Sequence, residues 1–205
     1  SKVLPGHSMT LHANGKIETQ KWWDLKAEIQ NQERIEDPLE WFKATFDDSV
    51  RLRMISDVPV GVLLSGGLDS SSILASLKKQ DYKNIATFNI GFKEEKHNES
   101  HLAKMLSEKL GYNFNTLQLE DDALYNKLLQ ATYLQDEPIM HLSEPHLLAV
   151  SELAKPTVKV LLSGEGADEL MGGYVRYKAL QYSSLLQSVA KLSSLDLFEK
   201  TGRFE

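Results

Sequence analysis

A run of branched apolar residues, Val60-Gly61-Val62-Leu63-Leu64, ends abruptly in Ser65-Gly66-Gly67 and gives way to the small-residue stretch Leu68-Asp69-Ser70-Ser71-Ser72. The run is too uniformly apolar for a half-exposed strand, so it reads as buried strand, tight loop and helix. Adjacent glycines let the backbone approach a ligand and aim successive N–H groups at it, and the following helix adds the positive end of its dipole. Such a loop suits phosphate.

The same alternation continues along the chain. A helix from Ser70 to about Lys79 leads to a strand over Ile85–Ile90 that ends at Gly91. A helix opening at Asn98 or Glu99 carries Leu102, Met105, Leu106 and Leu110 on one face, and Asn113–Leu119 follows as a strand. Asp121-Asp122 caps a helix to about Gln135 with Leu124, Leu128 and Leu129 inward, and Ser143-Glu144-Pro145 starts another to about Ala154. Val158–Leu162 is a strand, Ser163–Asp168 a second glycine-rich loop, and Val175 to about Leu192 has helical periodicity. Strands alternating with helices predict an α/β fold, a doubly wound, mostly parallel sheet with helices on both faces. Upstream, Asp37-Pro38-Leu39-Glu40 carries N-cap, first-turn proline and capping-box signals, with Leu39, Phe42, Phe46 and Val50 as a core-facing stripe and Arg51 and Arg53 at a solvated end. Residues 26–36 read as a polar linker. Asn14-Gly15 between short alternating runs predicts an N-terminal β-hairpin.

Composition narrows the function classes. With 41% apolar and 25% charged residues the chain is globular rather than disordered. A net charge of −6 argues against broad electrostatic capture of nucleic acid. The absence of cysteine excludes disulfides, thiolate zinc sites and a cysteine nucleophile within the chain. No apolar run reaches the roughly 18 residues of a membrane span, which makes a cytoplasmic protein the expectation. The histidines offer a single i,i+4 pair, His97 and His101, in a charged setting that reads as solvated; Trp22, Trp23 and Trp41 read as packing anchors.

Three familiar loops fail on specific positions. Gly61 to Gly66 fits the start of the P-loop pattern, but Gly67 stands where the lysine belongs and Leu68 where Ser or Thr would hold magnesium. A nucleophile elbow needs glycine two residues before the serine, and Leu63 and Leu161 stand there. Gly164-Glu165-Gly166 lacks the third glycine of the dinucleotide fingerprint, with Glu169 in its place.

Ser65-Gly66-Gly67-Leu68-Asp69-Ser70 does resemble the SGGxDS loop of enzymes that split ATP between its α- and β-phosphates. Ser65, Ser70 and the amides of Gly66 and Gly67 suit a leaving pyrophosphate, and Asp69 a magnesium ion. Ser163-Gly164-Glu165-Gly166-Ala167-Asp168-Glu169 followed by Gly172-Gly173-Tyr174 resembles the matching element of the asparagine synthetase family, as do Val58-Pro59-Val60-Gly61 and Phe88-Asn89-Ile90-Gly91-Phe92. The resemblance implies a pyrophosphate-loop ATPase fold using ATP and Mg2+, with Asp69 and Asp168 sharing the metal as catalytic carboxylates. It places adenine and ribose near Leu64, Ile90 and Gly91, and Gly164 and Glu165 beside the substrate. It implies attack of the aspartate side-chain carboxylate on the α-phosphorus and opening of the acyl-adenylate by ammonia, with a base in the Asp136-Glu137-Pro138 segment. Glu137 is the candidate and Asp136 is equally acidic.

By the same resemblance residues 1–30 are the tail of a glutaminase domain and its linker, and 31–205 a partial ATP-binding synthetase domain. The expected partners are a small carboxylate, aspartate first, and ammonia from the glutaminase domain; no nucleic acid and no membrane are expected, and a homodimer fits the full-length form. The family's catalytic lysine has no counterpart here, since Lys191 and Lys200 lack a matching context, so a fragment that binds nucleotide without turnover is expected. Rival readings are an amidotransferase acting on a sugar acid, with Glu144, His146, Arg176 and Tyr177 as pocket candidates, a tRNA-modifying enzyme with the same loop, and a non-catalytic nucleotide-binding module.

Overall fold

The structure, a computed structural model, describes residues 2–91, 99–135, 138, 141 and 143–180. The chain divides into two compact units, Ser1–Thr45 and Phe46–Glu205. In the first, β1 (His7–Leu11) and β2 (Ile17–Lys21) form the expected antiparallel hairpin, with Leu11 opposite Ile17. Gly15 closes the turn by donating its N–H to the His12 carbonyl, and Asn14 Oδ1 accepts from Lys16 N–H. The predicted linker is instead partly helical. α1 (Leu25–Asn31) starts at Asp24, whose carboxylate accepts from Lys26 N–H and Ala27 N–H. No residue of α1 is buried, and its seven residues offer only Leu25 and Ile29 at helical spacing, too short a run for periodicity to detect. Trp22, Trp23 and Trp41 are exposed and anchor no core.

α2 (Pro38–Arg53) begins as signalled, with Asp37 Oδ1 accepting from Glu40 N–H. Only its second half uses the stripe: Val50 is buried and Phe46 half-buried against the core of the second unit, whereas Leu39 and Phe42 are exposed. Arg51 and Arg53 bond within their own helix, to Asp48 and Ser49.

In the second unit β3 (Val60–Leu63), β4 (Ala86–Gly91), β5 (Asn113–Gln118) and β6 (Val160–Leu162) form one parallel sheet in the order β5-β4-β3-β6. The chain steps outward from β3 through α3 (Leu68–Lys79) and α4 (Ser100–Leu110), then returns through α5 (Asp121–Gln135) and α6 (Glu144–Ala154) to the far side of β3. That reversal makes the β3/β6 boundary the switch point, where a crevice opens beyond the carboxyl ends of the strands. Strand alternation sends Val62 and Leu64 to a core layer with Leu74, Leu77 and Ala103, and Ala86 and Phe88 to another with Val150 and Ala154. Helices therefore cover both faces.

The helices around the sheet depart from expectation at particular residues. α3 begins at Leu68, so Asp69 and Ser70 lie in its first turn. α4 turns Ala103 and Ser107 inward, flanked by Leu106 and Leu110, and leaves Leu102 and Met105 exposed. Small side chains bring α4 close enough for Ser107 Oγ to lie 2.9 Å from Thr87 Oγ1, a face that a count of bulky residues misses. On α5, Leu124 and Leu128 are half-buried and Leu129 is exposed. Among the described residues no helix is long and apolar enough to cross a membrane.

Asp47 ties α2 to α3. Its carboxylate accepts from Ser76 Oγ at 2.5 Å and Lys79 Nζ at 2.6 Å, and these bonds, Lys79 first, hold its pKa below the usual aspartate value. A depressed folded-state pKa means stability present above the unfolded value and lost as pH falls through the folded one. Asp47→Ala is expected to cost about 1 kcal/mol at neutral pH, with the difference from wild type vanishing in strong acid; urea unfolding across pH checks both.

Candidate active site

The first loop is built by hydrogen bonds among its own serines. Leu64 N–H donates to Phe88 O at 2.8 Å, continuing the ladder one residue past β3. Ser65 N–H then donates to Ser70 Oγ at 3.1 Å, the two hydroxyls lie 2.9 Å apart, and Gly67 N–H donates to Ser65 Oγ at 3.2 Å. These bonds fold the loop back over the start of α3. Gly66 makes the turn possible: its φ is +93°, and a Cβ there would lie 2.7 Å from the Glu99 carbonyl oxygen. Gly67 is the N-cap of α3 and the helix has no side-chain cap hydrogen bond, so its first N–H groups carry no side-chain acceptor there.

The second loop leaves β6 on the other side of the switch point and lies against the first. A Cβ on Gly164 would stand 3.1 Å from both Asp69 Cβ and Ser70 N. Glycine permits so close a contact, since a Cβ there would press both neighbours by a few tenths of an ångström. Gly166, with φ +90°, then starts the short α7 (Ala167–Met171), which carries Asp168 and Glu169 in its first turn and was not anticipated from sequence. Tyr174 OH donates to Glu169 Oε1 at 2.6 Å; this bond lowers the Glu169 pKa and pushes the Tyr174 phenol up to about 12. The Arg176 guanidinium sits over the Tyr174 ring, 4.2 Å from its centroid. That packing belongs to the start of α8 (Val175–Leu180).

Between the loops lies a cavity of about 430 Å³, within the size range of small-molecule sites. Of the residues expected at the site, Leu64, Ser65, Asp69, Ser70 and Ile90 line it from one side, and Gly164, Glu165 and Asp168 from the other. Gly66 and Gly67 shape the turn, and Gly91 is the buried last residue of β4. Glu137 and Asp136 lie outside the described residues, as do Phe92, His97, Asn98, Lys191 and Lys200. Of the pocket candidates, His146 lines the cavity, Arg176 and Tyr177 pack on Tyr174, and Glu144 lies in the first turn of α6 with its Oε2 buried and unbonded among the described residues.

Sequence reasoning assigned no role to Asn89. Its buried amide donates to the Leu64 carbonyl at 2.7 Å, while Oδ1 accepts from Ser100 Oγ at 2.5 Å and Thr116 Oγ1 at 3.3 Å. One side chain thus joins the end of β3, β5 and the start of α4. The available signal is a lone carboxamide in the otherwise mostly apolar strand segment Ile85–Ile90.

The cavity is acidic. Asp69, Glu99, Glu165, Asp168 and Glu169 line it, and no lysine or arginine does among the described residues. A polyphosphate entering it needs a cation alongside. Among the described residues no three His, Asp or Glu side chains form a protein cage. Two carboxylates lining one cavity, from the first turns of α3 and α7, are nonetheless what Mg2+ uses when phosphate oxygens and water complete its shell, so Asp69 and Asp168 fit that ion.

A model of the asparagine synthase family matches residues 42–203. The chain belongs to the asparagine synthase family. Family relatives include the glutamine-hydrolysing asparagine synthetase 1 of Bacillus subtilis, 36% identical over 178 residues, covering 86% of this chain and 28% of that protein. A putative glutamine-hydrolysing asparagine synthetase 2 of Methanocaldococcus jannaschii is 36% identical over 131 residues, 63% of this chain and 25% of that protein. The amidase chyE of Penicillium rubens is 29% identical over 196 residues, 87% of this chain and 29% of that protein. The chain thus spans less than a third of the length of each of these relatives. Both glycine-rich loops fall inside the matched family region.

Proposed function

We propose that the crevice binds ATP and activates a carboxylic acid, the side chain of aspartate, as its acyl-adenylate for conversion to an amide by ammonia. The supporting observation is the contact of Gly164 with Asp69 and Ser70, which sets the two loops around one cavity at the switch point. In this reading Ser65, Ser70 and the open N–H groups of α3 hold the β- and γ-phosphates as one leaving group. Leu64 and Ile90 flank the adenosine. Asp69 and Asp168 would hold Mg2+, which when bound neutralises charge on the departing pyrophosphate. A carboxylate oxygen bonds to the α-phosphorus as the bond from that phosphorus to its bridging oxygen breaks, and pyrophosphate leaves with the electron pair. Nitrogen then bonds to the acyl carbon, the acyl–oxygen bond to AMP breaks, and a base accepts the surplus proton. Residues 1–30 are read as part of a glutaminase unit and 31–205 as part of the synthetase unit, the former supplying ammonia in the complete protein.

The candidates for the base are Glu137 and the equally acidic Asp136, with Glu165, which lines the cavity, as a third. Only the second step needs it. Replacing the carboxylate of the true base by its amide, Glu→Gln or Asp→Asn, is expected to spare pyrophosphate exchange while cutting amide formation by about 10²–10³-fold; the same change at the other candidates alters both steps alike or neither.

A second reading, amidation of a different acid, draws on the amidase-named relatives. The test is to give the complete protein ATP, glutamine or ammonia, and a panel of carboxylic acids, and to measure AMP and amide. AMP and asparagine with aspartate alone support the first reading. AMP with another acid supports the second, and ADP with any acid contradicts both.

A further inference from the structure

We infer that Gly173 is a positioning residue for Asp168, a role that rests on Asp168 acting in the site as proposed above. After α7 the chain reverses at Gly172, whose φ of +69° closes the helix, and the N–H groups of Gly172 and Gly173 both donate to the Asp168 carbonyl. This reversal lays Gly173 directly on the Asp168 side chain. Asp168 Oδ1 occupies the space a Cβ at 173 would need, and Asp168 Cγ would lie only 3.0 Å from it. Gly172 is therefore glycine for its backbone angle, whereas a Cβ at Gly173 would meet the Asp168 carboxylate first, with the Asp168 Cα 3.3 Å away. The strap is anchored just beyond, where Tyr174 bonds Glu169 and carries Arg176 on its ring. With the strap pinned at both ends, a side chain at 173 must displace the carboxylate out of its position on the cavity wall.

The experiment is a double-mutant cycle on the complete protein with Gly173→Ala, Asp168→Ala and the double variant. Melting temperature is read without ligand, and ATP binding is read by calorimetry with and without Mg2+. Gly173→Ala alone is expected to lower the melting temperature and weaken Mg2+-dependent ATP binding roughly tenfold, leaving metal-free binding within about twofold. In the Asp168→Ala background, where the carboxylate's space is vacated and only the Cα at position 168 stays close, Gly173→Ala should change Mg2+-dependent binding no further and lower the melting temperature less than it does in the wild-type background. An equal loss of melting temperature in both backgrounds overturns the inference, because the glycine then serves the backbone alone. So does full Mg2+-dependent binding by Gly173→Ala when Asp168→Ala has lost it. Should Gly173→Ala fail to fold, the double variant is expected to fold; failure of both overturns the inference. Unchanged Mg2+-dependent binding in Asp168→Ala defeats the metal assignment itself, and this inference with it.

Discussion

Asp69→Asn is expected to lower aspartate-dependent exchange of labelled pyrophosphate into ATP by about 10²–10³-fold while leaving the melting temperature close to wild type. Asp69 sits in the first turn of α3 and lines the cavity. Among the described residues no side chain bonds its carboxylate, so the fold does not depend on it. The exposed Asp24 and Asp37 carboxylates, by contrast, each accept backbone N–H bonds at a helix start. Asn keeps the shape and removes the charge, so the variant separates an electrostatic role from a packing one. Exchange near the wild-type rate would remove Asp69 from the metal assignment. A large loss of stability would show that the residue serves the helix start instead.

The second large effect is expected at Gly164. Valine there would drive a branched side chain into Asp69 Cβ and Ser70 N, each only 3.1 Å from the unbranched Cβ position. Ser70 cannot yield easily, since it is buried and hydrogen-bonded within the first loop. The loops must part. A shift of about 1 Å between groups that act on one substrate costs about 10²-fold in rate, and overpacking costs about 1–3 kcal/mol in stability. Gly164→Val is therefore expected to lose at least that much exchange activity, with Gly164→Ala intermediate, as steady-state kinetics and urea unfolding would show. Activity retained in Gly164→Val would mean that the loops function without close contact.

What could be read from the sequence follows from which interactions are local. The β3 strand and its loop were legible because an unbroken apolar run followed by two glycines has few other uses. The hairpin was legible because Asn14-Gly15 dictates its own turn. The start of α2 was legible from Asp37, whose side chain caps the helix as its residue type suggests. The order β5-β4-β3-β6 is a property of long helical crossovers, and no short pattern encodes it. Yet that order is what creates the crevice. Asn89 escaped for a related reason: its three partners, Leu64, Ser100 and Thr116, are distant in sequence and meet only in the folded sheet. The inward face of α4 was misread because Ala103 and Ser107 earn their burial by being small.

Heavy-oxygen labelling of the carboxylate tests the central claim most directly. If the two loops hold ATP for attack at the α-phosphorus, one labelled oxygen leaves the acid during amide formation and is recovered in the phosphate of AMP. Label recovered in inorganic phosphate alongside ADP would place the attack at the γ-phosphorus and contradict the account.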